Sequence, residues 1–100
     1  MTAQQQAEEG LRRVVAQATG DALAILDHLA DRYSRVRPTS PMTAGSREAR
    51  ICTVSIELFG WGPRAESAER QALAIALPVS DPITRGEYSL RLRAAIREAS

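Results

Sequence analysis

From Ala3 to Arg35 the chain holds no proline, and its apolar side chains recur three and four apart: Leu11, Val15, Ala18, Ala22, Ile25 and Leu29. A helix turns about 100° per residue, so this spacing collects those side chains on one face. The stripe keeps its phase across Gly20 and continues to Val36, with Leu26 and Tyr33 beside it. One helix over about 3–35 is predicted, even though Gly10 and Gly20 each weaken it by ~1 kcal/mol relative to alanine. Whatever follows has to cover one apolar face of a long rod.

The rest of the chain carries a different rhythm. Residues 36–46, with Pro38, Pro41 and Gly45, read as a loop. Beyond it Val54, Ile56 and Leu58 alternate with Ser55 and Glu57, and Leu73, Ile75, Leu77 and Val79 alternate with alanines and Pro78. Tyr88, Leu90 and Leu92 alternate with Ser89, Arg91 and Arg93. A strand turns successive side chains to opposite faces, so each run would have one apolar side. Strands are expected at about 48–59, 71–79 and 87–93, with a short helix at about 94–99. The β-branched Ile51, Thr53, Val54 and Ile56 support the first strand. Ser46, Arg50, Thr53 and Glu57, ending at Gly60, also fit the polar stripe of a helix. Residues 65–77 have strong helix propensity too, but a helix there would part Leu73 and Leu77 from Ile75 and Val79.

The expected fold is α+β: a single domain in which the long N-terminal helix packs on a three-stranded antiparallel sheet, with a short C-terminal helix. The alternative is an all-α four-helix bundle. A 30-residue helix runs ~45 Å, whereas an eight-residue strand covers only ~27 Å. The unmatched stretch of apolar stripe, or a free sheet edge, would be shared with a second chain, so a homodimer is expected.

Composition narrows the function by exclusion. The formal charge is only +1 and does not demand a polyanionic partner. All 13 basic residues are Arg, and neither Lys nor Asn occurs, as GC-rich coding would produce. The single Cys allows no internal disulfide and suits a reducing cytoplasm. The polar N-terminus, with Glu8 and Glu9, is not a secretory signal. No apolar run approaches the roughly 20 residues that span a bilayer.

Titratable side chains form no persuasive constellation. His28, the only histidine, lies one turn from Asp31 and near Asp27 and Arg32. A metal would need further ligands from elsewhere, and none is expected. Cys52 reads as a core residue rather than as a nucleophile paired with His28. Glu57 falls on the outer face of its run and has no partner carboxylate for acid–base work. In Phe59-Gly60-Trp61-Gly62-Pro63 the only Phe and only Trp share one turn, which makes Trp61 and Phe59 the candidate partner contacts.

Two arginine groups remain. Arg32, Arg35, Arg37, Arg47 and Arg50 surround the loop, and Arg91 and Arg93 share a face of the third strand. Guanidinium forks suit phosphate oxygens, although Asp27, Asp31 and Glu48 lie among them. Leu73-Ala74-Ile75-Ala76-Leu77-Pro78-Val79-Ser80, with Arg85 following, resembles the helix-turn-helix of bacterial DNA-binding domains. The resemblance covers about thirteen residues and implies a recognition helix reading bases near Asp81, Thr84 and Arg85. Pro78 departs from it, standing where that turn takes a positive-φ glycine.

The reading is therefore a non-enzymatic interaction or regulatory module of the bacterial or phage cytoplasm, acting through protein–protein contacts as a homodimer, with no cofactor. The alternative is a helix-turn-helix-like nucleic-acid binder using residues 73–85 or an Arg-lined face, with Thr84, Arg85, Arg91 and Arg93 as contacts.

Overall fold

The structure, a computed structural model, describes residues 2–79 and 82–100. It holds four helices among those residues: α1 Ala3–Arg35, α2 Ala44–Phe59, α3 Pro63–Ile75 and α4 Arg85–Ala99. The α+β expectation is overturned. There is no strand among the described residues, only an isolated antiparallel bridge between Pro41 and Thr84. The fold is all-helical.

Each start has a local cause. Thr2 and Gln5 close a reciprocal capping box on α1, and Thr84 and Glu87 close another on α4. These boxes satisfy backbone N–H groups that the first helical turn leaves unpaired. The Thr43 hydroxyl accepts from the Ser46 N–H at the start of α2. Pro63 begins α3, where its missing N–H costs nothing. Gly60 (φ 75°) ends α2 and Gly62 (φ 144°) precedes α3, backbone angles that a side chain would resist.

α1 spans 33 residues, ~50 Å, and sets the 55 Å long dimension of the molecule. All three shorter helices pack against it. From Asp21 onward its stripe is covered: Ala22, Ile25, Leu26, Leu29, Ala30 and Tyr33 are buried. Ile51 and Val54 of α2 and Tyr88 and Leu92 of α4 complete the core, with Tyr33 and Tyr88 in edge-to-face contact at 6.2 Å.

The three strand assignments fail for one shared reason: the alternating residues belong to helices whose buried faces use only some of them. In 48–59 the inward positions are Ile51, Val54 and Ser55, spaced three and four apart, while Leu58 is 44% exposed. In 71–79 the buried face is Ala65, Ala68, Ala72 and Ala76, with Leu73 and Ile75 only partly covered on its flanks. α3 stops at Ile75, so Leu77 and Val79 follow outside the helix and are never parted from the others by helical turning. In 87–93 Tyr88, Ser89 and Leu92 are buried, but Leu90 is 71% exposed. The expected short helix at 94–99 is the end of α4, and the sheet-edge route to a dimer goes with the sheet.

Two carbonyls anchor the segment after α3 and the last helix. Arg47 Nη1 and the Tyr88 hydroxyl both donate to the Leu77 carbonyl, at 3.2 and 2.7 Å. Ser89 Oγ donates to the Ala30 carbonyl at 2.6 Å, which makes a buried serine tolerable on the α1–α4 contact. Residues 38–42 pair with the start of α4 through Met42 N–H to Ile83, Arg85 N–H to Ser40 and Gly86 N–H to Pro38. A Cβ on Gly86 would meet Pro38 at 3.2 Å.

Two expectations test this arrangement. Ala72→Leu should destabilise the protein by about 1–3 kcal/mol by overpacking the closed α3 face, measured by urea unfolding; an outward alanine row would leave stability unchanged. The Glu87 carboxyl is held below its ordinary range by hydrogen bonds from the Thr84 side chain and backbone. A lowered carboxylate value adds stability above the unfolded value, lost as pH falls through the folded one. Glu87→Ala should therefore lower the melting temperature at neutral pH, and its gap from the parent should close on acidification below the usual glutamate range.

Candidate functional site

The stripe that builds the core does not end where the core does. On the N-terminal half of α1, Leu11 is 65% and Val14 63% exposed, on the same helical face as the buried Ile25 and Leu29. Two grooves open where this free half meets α3. One, of about 210 Å³, is lined by Val14, Gln17, Ala18, Asp21, Pro63, Arg64 and Ser67. The next shares Val14, Ala18 and Ser67 and extends to Arg70 and Gln71.

The floor of that junction is fixed by one clamp. Arg64 Nε and Nη2 donate to the two carboxylate oxygens of Asp21 at 2.8 and 3.0 Å, a bidentate geometry that a lysine could not reproduce. The same guanidinium lies 4.7 Å over the Phe59 ring. Asp21 pushes the already high Arg64 value further up. Because Arg64 is exposed, the pair contributes more to position than to stability. It ties the Gly60–Gly62 turn to α1 and leaves Trp61 88% exposed at its tip.

The sequence candidates thus separate. Phe59 is half-buried beneath Arg64, whereas Trp61 is free for a partner. The clamp residues Asp21 and Arg64 were not singled out by the sequence; they stand 43 positions apart, and no local pattern joins them.

Thr84, Arg85, Arg91 and Arg93 do not form one face. Thr84 caps α4, Arg85 leans toward the Tyr33 ring, and Arg91 is exposed. Arg93 pairs with Asp27 at 3.3 Å. At about 100° per residue, Arg91 and Arg93 point to nearly opposite sides of a helix. The helix-turn-helix pattern also meets a different local structure: α3 ends at Ile75, residues 76–79 are outside any helix, and α4 begins only at Arg85. Asp81 and Ser80 lie outside the described residues.

His28 is exposed, Cys52 is half-buried, and no hydrogen bond joins them. Glu57 is exposed on α2. Among the described residues no three His, Cys, Asp or Glu side chains gather as a metal site requires. No described helix is long and apolar enough to cross a membrane.

Trp61 is the only tryptophan and reports directly on the turn. Its fluorescence should be strongly quenched by acrylamide in dilute solution, and a blue-shifted, shielded emission there would contradict the exposed placement.

No protein-family model matches the chain. No curated protein and no solved structure matches it either.

Proposed function

We propose that the protein is a non-enzymatic interaction module of the cytoplasm whose first partner is a second copy of itself, joined through the uncovered half of α1. The observation that carries this reading is continuity: one apolar face is buried from Asp21 on and bare at Leu11 and Val14. Exposed apolar side chains in an ordered stripe favour burial against a matching surface, at about 25 cal/mol per Å² removed from water.

Charge selects the direction of pairing. Glu8 and Arg12 flank the same edge of the stripe, one turn apart. When two antiparallel copies cross at Leu11, Glu8 of each approaches Arg12 of the other, twice by symmetry. A parallel pair would set that edge against the uncharged Ala3, Gly10 and Gln17 edge. The antiparallel register also brings Gln4 of one copy opposite Ala18 of the other, so its first turn lies along the α1–α3 groove. The single reduced Cys52 agrees with a cytoplasmic setting.

Sedimentation equilibrium should show a dimer in the micromolar range that Leu11→Glu converts to a monomer with an unchanged circular dichroism spectrum. Mixed Gln4→Cys and Ala18→Cys chains, both in a Cys52→Ser background, should cross-link to each other under mild oxidation. A parent chain that stays monomeric at high concentration would overturn the reading.

A further inference from the structure

The α2–α3 turn lies at the foot of the bare half of α1. Arg64 ties it there through Asp21, at 2.8 and 3.0 Å, and Pro63 shares the groove wall with Val14, Gln17 and Ala18. Trp61 stands two residues before Pro63, within about 7 Å of it along the chain. It is 88% exposed. A large indole is thus left in water beside an open groove.

The register that sets Gln4 of a second copy opposite Ala18 also sets its Ala3 opposite Thr19. The incoming helix begins at Ala3, so it stops just short of Asp21, where the covered half of α1 starts. The two bare halves therefore match in length. In a symmetric antiparallel pair like edges meet. The second copy turns its Ala3, Ala7 and Gly10 edge, spaced four and three apart, toward the Gln17 edge on which α3 lies. That edge is uncharged and built of small residues, so a helix can come close to Ser67 and offer an indole an apolar surface.

We propose that Trp61 anchors the pairing face, its indole packing over the first two turns of α1 of a second copy and closing the α1–α3 groove. The inference rests on the antiparallel pairing proposed above and names the segment that covers the turn. Area supports a second copy as the occupant. A stable pair buries about 800 Å² per partner. Leu11 and Val14 are the large exposed apolar groups among the described side chains of the bare half, and two aliphatic groups fill only part of that area. One tryptophan buries about 150–250 Å², and symmetry supplies it twice.

The test follows tryptophan emission of the full chain across the monomer–dimer transition seen by sedimentation. Trp61 should be exposed in the monomer, and blue-shifted and shielded from acrylamide in the dimer, with the same midpoint by both methods. Trp61→Ala should weaken pairing about tenfold or more, the loss expected of an interface anchor. The circular dichroism spectrum of the dilute variant should be unchanged, and Trp61→Phe should restore most of the affinity. A nitroxide on Ala3→Cys, in a chain also carrying Cys52→Ser and Trp61→Phe, should quench Trp61 of the copy it pairs with. A dimer whose Trp61 stays as exposed as in the monomer, or a Trp61→Ala chain that pairs as tightly as the parent, overturns the inference and leaves the pairing standing. A chain that never leaves the monomer removes both, and sedimentation alone reports it. Shielding gained instead by the monomer, on adding phosphatidylglycerol vesicles, gives the face to a membrane surface and also overturns the inference.

Discussion

Everything in this fold is organised by the need to cover one face of a helix more than twice as long as either α3 or α4. A helix of 13–16 residues spans ~20–24 Å, so helices laid along α1 cover about half of it. They gather on its C-terminal half, from Asp21 to Tyr33, and the burial of Ile25, Leu26 and Leu29 there drives folding. The bare half at Leu11 and Val14 follows from the same mismatch. Sequence anticipated the mismatch but assigned the wrong partner layer to it.

The small side chains of α3 show how the short helices come close enough. Ala65, Ala68, Ala72 and Ala76 are the buried row, and they let helix backbones approach where leucines would hold them apart. Polar groups are then satisfied across the remaining gaps by long-range bonds. Arg47 and Tyr88 share the Leu77 carbonyl, and Ser89 reaches Ala30. Burial raises the value of both tyrosine hydroxyls, yet only Tyr88 has a backbone acceptor. Of the two buried tyrosines, Tyr88 is therefore the one that ties its helix to the backbone of the segment after α3.

The legible part of the fold was the part with an unambiguous period. The α1 stripe is visible because no strand pattern competes over so long a stretch. Residues 71–79 read as a strand when their large side chains are set facing the core, whereas close packing selects the alanines. Short apolar alternations also occur inside helices, where Tyr88 and Leu92 are four apart as well as on a period-two track. The Thr84-x-x-Glu87 capping signature was a local sign that α4 begins there, and it outweighs the alternation that follows. Of the candidate site, Trp61 was legible as the lone tryptophan between two glycines. Asp21–Arg64 was not, because it depends on how helices far apart in sequence meet.

One helix carries both the buried core face and the bare apolar face. Tyr33 is 22 positions from Leu11 on the same helix, or ~33 Å at the helical rise. What links the two faces is helical phase: the buried half of the stripe runs to Tyr33, and the same phase presents Leu11 and Val14 on one side. A break in that phase at Gly20 would separate the two properties, since the core would survive while the free half lost its alignment with the α3 groove.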